Sequence, residues 1–288
     1  MLLFWSWTLA AVVALGFSPL AMKMALSAGG SSLQVALVTA VFAALVVCTW
    51  MLVRDKARRL PRMRARQRMA LLVVGALGSG LVPLFGILAM TETSASNRAL
   101  FQSAYPAATA LAARFLLGER LGTFSYVLIA LVCIGLALMN IEPSPGLSLL
   151  DWPFWLLLAT LPLIGLADVI AKKSLVDQPP EVVAAGRAVG GVLILALALP
   201  WALAGLGATF FAAWHWLLLG GFCMGIFAVA LYQVLDRTEA SLAASLMGLA
   251  PLLTLAAEAG LLGISLHYWQ WAGFILVLLA LLWLSRRI

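Results

Sequence analysis

Ten stretches of about 20 mostly apolar residues follow one another along this chain, at roughly 3–26, 33–53, 69–90, 94–117, 122–141, 152–175, 181–203, 213–236, 239–262 and 267–285. A helix rising ~1.5 Å per residue needs about that length to cross a hydrocarbon layer ~30 Å thick. The runs are continuous, without the ten-residue alternation of barrel strands, so they predict helices. Composition agrees: of 288 residues, 64% are hydrophobic and 10% charged, whereas soluble domains carry roughly 25% charge. A water-soluble fold has no interior large enough for so much apolar surface. The expected class is an all-α integral membrane protein.

The formal charge of +7 is concentrated rather than spread. Eight of the eighteen Lys and Arg residues fall in "RDKARRLPRMRARQR" (54–68). That stretch has no aromatic residue to stack on bases and lies between two apolar spans, which excludes a nucleic-acid partner. Basic clusters beside membrane spans mark cytoplasmic loops or touch anionic lipid. With that loop inside, sixteen of the eighteen cations fall at inside ends, and only Lys23 and Arg98 fall toward the outside. Both termini are then cytoplasmic, in a plasma membrane of the bacterial inner-membrane type. The first apolar run lacks a basic flank and carries Trp5 and Trp7, so it reads as a retained helix rather than a signal peptide. Cys48, Cys133 and Cys223 lie far apart in apolar runs, which predicts neither a disulfide framework nor a metal site.

The polar break "EPSPGLSLLD" (142–151) leaves five runs on each side, with halves at 1–146 and 147–288. An odd number per half makes the second half enter the membrane upside down. The halves are also similar. "GFSPLAMKMAL" (16–26) matches "GLADVIAKKSL" (165–175) at Gly16/Gly165, Lys23/Lys172 and Leu26/Leu175. "SASNRALFQSAYPAATALAARFLLGERL" (94–121) matches "EASLAASLMGLAPLLTLAAEAGLLGISL" (239–266) at Ser96/Ser241, Pro106/Pro251 and Leu-Leu-Gly. The fold expected is ten transmembrane helices as two inverted-topology five-helix repeats. Such repeats recur in transporters with a substrate site at their interface.

These residues carry a specific resemblance. Gly-(x)6-Lys at the end of a first helix, followed by "TSAS…P…TALAARFLLGERL", resembles the EamA family of the drug/metabolite transporter superfamily, in both halves and over nearly the whole chain. The resemblance implies ten helices, a central cavity walled by helices 1, 3, 4, 6, 8 and 9, and movement of small metabolites, often outward. The family's frequent arginine on helix 2 is replaced by Thr39, whereas the second half keeps Arg187.

Candidate site residues follow from depth. Asp168 and Lys172 are one turn apart and can pair along one helix face. Lys23 and Lys172 sit at mirrored ends, where they either snorkel to their nearer interface or gate the two mouths of a pathway. Glu258 lies within apolar "TLAAEAGLL" and either pairs with Lys23, carries a coupling proton, or sits shallowly at the interface. Glu92 and Arg98 flank one turn and are expected to pair there. Glu119 reads as a helix-end carboxylate. His215 and His267 are expected at helix starts. At mid-membrane, helix 4 offers Gln102, Ser103, Tyr105 and Pro106, helix 6 offers Thr160, and helix 9 offers Met247 and Pro251. So apolar a set suits a neutral, zwitterionic or aromatic solute, with recognition leaning on the first half.

The expected function is a secondary active or facilitative transporter of small metabolites such as amino acids, with protons as a candidate coupling ion. A translocator of lipids or lipid-linked head groups is the alternative. No HExxH, GxSxG or P-loop pattern points to an enzyme, and nothing calls for a cofactor. The Gly186–Gly190 and Gly221–Gly225 spacings suit helix contacts within one chain or between two copies; monomer and homodimer both remain open.

Overall fold

The computed structural model describes residues 2–58, 63–118, 151–203, 206–263 and 267–285, with 127, 130, 131, 134, 135 and 138 between the second and third stretches. Most of the expected helix at 122–141, Glu119, Cys133 and most of the 142–151 break therefore lie outside the described residues. Everything regular among the described residues is helical, and five helices are long and apolar enough to cross a membrane.

Helix α1 spans Leu2–Ser27 and α2 spans Ser32–Val53. A turn at Gly29 (φ 94°) joins them. Ser31 then accepts from Gln34 N while Gln34 Oε1 accepts from Ser31 N, a reciprocal cap that fixes where α2 starts. Helix α3, Ala65–Ala89, contains a π turn over Ala76–Leu81. Pro83 supplies the reason: lacking N–H and crowding the turn before it, it is accommodated by one wider turn. Val82 N accordingly donates to Leu77 O, and Gly78 O is left without its ordinary helical donor.

The predicted fourth and ninth spans are each broken in two. Helix α4 (Ala95–Gln102) gives way to α5 (Tyr105–Leu117). Likewise α10 (Ala240–Met247) gives way to α11 (Ala250–Leu262). The breaks fall at matching repeat positions, each just before a proline, Pro106 or Pro251, whose ring excludes a continuous ladder. Both second segments end on a left-handed glycine, Gly118 (φ 72°) and Gly263 (φ 66°).

Between these lie α6 (Trp152–Leu175), α7 (Pro180–Ala196), the short α8 (Leu199–Ala202) and α9 (Leu206–Arg237). Helix α12 (Tyr268–Ser285) follows α11. The expected 181–203 helix thus stops early, because Pro200 opens a separate turn. Helix α9 starts seven residues sooner than expected, which puts His215 inside it; His267 does immediately precede α12.

Packing repeats between the halves. Helix α1 lies on α9 and α11, as α6 lies on α3 and α5. Helix α2 meets α9 as α7 meets α3, α4 meets α11 as α10 meets α5, and α2 crosses α7 itself. Glycines allow the closest crossings. A Cβ added at Gly190 would stand 2.7 Å from Leu72 O, and one at Gly225 would stand 2.6 Å from Val46 Cβ. Both GxxxG pairs are therefore contacts within one chain: Gly186 and Gly190 on α3, Gly221 and Gly225 on α2.

Candidate functional site

The two repeat-related lysines have the same task. Lys23 Nζ on α1 donates to Met90 O (2.6 Å) and Thr93 O (2.8 Å), just beyond the end of α3. Lys172 Nζ on α6 donates to Leu235 O (2.7 Å) and Thr238 O (2.8 Å), at the end of α9. Helix ends expose carbonyls and a negative dipole end, so an ammonium placed there closes both needs. Each lysine ties the first helix of its half to the third. Charge-assisted bonds of this kind contribute about 1.5–3 kcal/mol. Lys172→Met and Lys23→Met are each expected to lower stability by about that much, read from denaturant unfolding in detergent micelles.

Asp168 does not pair with Lys172. It turns instead to Arg187 on α7, Oδ1 to Nη1 at 3.4 Å, with both side chains buried. Sequence spacing shows neighbours along one helix, but here the partner comes from the next helix. Arg187 is held on every side. Nε donates to Ser79 Oγ (3.1 Å), Nη1 to Tyr232 Oη (3.2 Å), and Nη2 to Gly78 O (3.0 Å), the carbonyl released by the π turn. The rings of Phe227 and Tyr232 stand 5.8 Å from its Cζ. Tyr105 lies near enough to feel both charges. Gly78 leaves the room: a Cβ there would approach the guanidinium carbon to 3.0 Å.

Glu258 is fully buried and accepts from Ala95 N (3.0 Å) and Ser96 N at the start of α4. A carboxylate at a helix N-terminus satisfies two orphan donors and meets the positive dipole end. Lys23 is close enough to contribute attraction, though no ion pair forms between them. Arg98 corrects a further expectation: it does not reach exposed Glu92. It folds inward over Gly86, with Nη1 3.3 Å from Met22 Sδ and 4.0 Å from Met90 Sδ.

The mid-membrane residues divide sharply. Ser103 Oγ donates to Leu100 O and Thr160 Oγ1 to Leu157 O, each at 2.6 Å, so both hydroxyls are spent within their own helices. Tyr105 and Met247 are packed in one core with Leu15, Val82, Ile164 and Phe227. Pro106 and Pro251 are buried beside them, while Gln102 is partly exposed. Sequence reasoning missed Thr109 and Thr254, which are repeat-related. Thr254 Oγ1 donates to Gly16 O at 2.6 Å across the α1–α11 crossing. Thr109 stands at the matching α6–α5 crossing beside Gly165, yet its buried Oγ1 has no partner among the described residues.

Comparison with known proteins decides the family. A model of the EamA-like transporter family matches residues 3–141 and 151–286, one match per half. The chain belongs to this family. It is therefore a multi-pass membrane protein of the drug/metabolite transporter type. A solved structure, described only as the crystal structure of a protein, superposes with a TM-score of 0.66 at 19% identity, covering 96% of this chain and 98% of its own. At that identity it supports the fold alone. None of the curated proteins compared matches the chain.

Tyr105 and Met247, expected beside a central cavity, are both packed within one buried core. A cavity of about 20 Å³ is lined by Met22, Thr39, Ser79, Pro83, Arg187 and Phe227, among others. Thr39 and Arg187 occupy matching repeat positions and line the same space. A larger apolar groove, about 500 Å³ between α1, α2 and α9 at Trp7, Trp50 and Phe222, lies away from these charges. Among the described residues no group of three His, Cys, Asp or Glu side chains is placed to hold a metal ion.

Proposed function

We propose that this EamA-like protein is a secondary transporter moving small metabolites, amino acids or related neutral, zwitterionic or aromatic solutes, outward by alternating access. Its ten helices form two inverted repeats, 1–146 and 147–288, with both termini on the cytoplasmic side of the plasma membrane. The observation that carries this reading is the broken symmetry at the two glycine crossings. Sequence-related helices pack alike at Gly16 and Gly165, but only the Thr254 hydroxyl is bonded across its crossing.

A buried hydroxyl without a partner costs about 1–3 kcal/mol, more acutely where no water reaches it. The Thr254–Gly16 arrangement shows what Thr109 lacks: the Gly165 carbonyl. Rocking one repeat against the other, with α4/α5 and α10/α11 flexing at their proline breaks, makes one bond as it releases the other. The two hydroxyls are latches of opposite states. Packing around the axis at Thr39 and Arg187 closes the pathway between them.

The test is a pair of isosteric variants. Thr254→Val removes the latch of this state and shifts the population toward the opposite-facing one; Thr109→Val shifts it the other way. A bond of about 1 kcal/mol corresponds to roughly a fivefold change in the ratio of states. Membrane-impermeant thiol labelling of single cysteines near each mouth, in a background free of Cys48, Cys133 and Cys223, reads the ratio. Equal labelling in both variants contradicts the latch reading.

The apolar groove at Trp50 favours a second reading, a translocator of lipids. Its walls include Trp7, Leu45, Val53, Phe222 and Ile226, and Trp50 Nε1 is buried without a partner among the described residues. Movement of a labelled phospholipid between leaflets, in vesicles where no metabolite moves, would favour it.

A further inference from the structure

Six buried side-chain polar atoms have no hydrogen-bond partner among the described residues, and five of them belong to α4 and α5: Asn97 Oδ1 and Nδ2, Arg98 Nε, Tyr105 Oη and Thr109 Oγ1. Thr109 has a partner waiting in the opposite state. Arg98 has none of that kind, since the matching position in the second half is Ala243. Its guanidinium is 2% exposed and its contacts are two thioether sulfurs, which are weak acceptors. No carboxylate among the described residues forms an ion pair with it; Asp168 serves Arg187, and Glu258 is bonded to backbone N–H groups.

A charged guanidinium inside a membrane protein is expensive unless it is paired or lies on a solute pathway. Arg187 shows what this fold does for a cation that belongs to the resting structure: four hydrogen bonds to oxygen, one of them to a carboxylate. Arg98 has, among the described residues, only the two weak contacts to sulfur. Placement supplies the reason. Met22, whose sulfur touches Arg98, also lines the small axial cavity that Arg187 and Thr39 border. Arg98 thus stands behind one flexible thioether side chain from that cavity. A methionine changes rotamer readily, and its displacement joins the guanidinium to the cavity.

We infer that Arg98 is the receptor for a solute carboxylate, reached by displacement of Met22. The planar guanidinium fork matches a carboxylate bidentately. Beside Thr39, Ser79 and Arg187, the cavity wall is formed by Met22, Pro83, Met224 and Phe227, which suit an apolar body. The ligand class is a small apolar solute that carries a carboxylate, with or without an amine. This inference rests on the transporter reading and narrows its substrate range.

The test uses matched solutes that differ only in their charged groups: phenylalanine and 3-phenylpropionate with 2-phenylethylamine, and leucine and 4-methylpentanoate with 3-methylbutylamine. Thermal stabilisation of the purified protein and uptake into proteoliposomes are measured for each. The carboxylate-bearing members are expected to stabilise wild type and be transported, and the amines to bind about a hundredfold more weakly. Arg98→Gln is expected to lose the carboxylate-dependent stabilisation. Without solute it is expected to unfold at the wild-type temperature or above, because an unpaired buried charge has gone.

Arg98→Lys, which keeps the charge without the fork, should retain weakened binding. Three results each overturn the inference: amines bind as well as carboxylates, Arg98→Gln keeps its response, or Arg98→Gln is destabilised without solute, which would mark a structural cation. Binding by no member of the panel also overturns it. The transporter reading itself fails only if no solute of any class is moved, so the two failures are distinguishable.

Discussion

Asp168→Ala is expected to destabilise the protein by about 3–5 kcal/mol, among the largest effects of any single substitution in the chain. The substitution leaves Arg187 buried at 1% exposure without its carboxylate, and removing one member of a buried pair strands the other charge. The double variant Asp168→Leu/Arg187→Met removes both charges and is expected to recover most of that loss, because a well-packed apolar pair of similar volume replaces a buried ion pair at little cost. Stability and function should then part company. If the pair is needed for movement around the axis, the double variant folds but does not transport. Denaturant unfolding of both variants, with uptake into proteoliposomes, checks this. A double variant as unstable as Asp168→Ala would show that Ser79, Gly78 O and Tyr232 need the guanidinium more than it needs the carboxylate.

Gly190→Leu should be comparably damaging for a different reason. Gly190 meets Gly75 and Leu72 backbone to backbone where α7 crosses α3. A leucine there forces the two helices apart, at about 3 kcal/mol or more, since overpacking a tight interior displaces backbone. It would also move Arg187, three residues earlier on α7, away from Ser79 and Gly78. Gly260, on α11, has nothing near where a Cβ would stand. Gly260→Ala should therefore be neutral or stabilising by up to about 1 kcal/mol, the helix-propensity difference. Comparing the two separates contact glycines from incidental ones, with unfolding midpoints as the readout.

Much of this architecture was legible in the sequence because the membrane imposes length and apolarity. Helix α6 runs Trp152–Leu175 as expected; Pro153 suits a first turn and two lysines stand near the end, so both boundaries are chemically marked. The α9 start was not marked: "LGATFFA" (206–212) reads as apolar loop or helix alike, and packing decided it. The interruptions at Ser103–Ala104 and Gly248–Leu249 were foreshadowed by prolines, though a proline in a sequence does not say whether a helix bends or breaks.

The site was less legible, since its bonds run between helices. Asp168 and Lys172 look like partners at a spacing of four, yet the fold supplies Arg187 to one and the α9 carbonyls to the other. Nothing in the linear chain shows that a π turn frees Gly78 O for Arg187. The threonine latches were visible in principle: Thr109 and Thr254 align in the repeat three residues after each proline. Their difference appears only when each is seen against the glycine it faces.

The central claim is that this EamA-like chain is a carrier whose halves alternate. Counterflow measures that most directly. Proteoliposomes are loaded with an unlabelled solute from the carboxylate panel and diluted into a trace of the labelled compound. A carrier of alternating access accumulates label transiently above its equilibrium level, saturably, and Thr109→Val or Thr254→Val changes the rate. Label that merely equilibrates, at a rate indifferent to the internal load, would contradict the account.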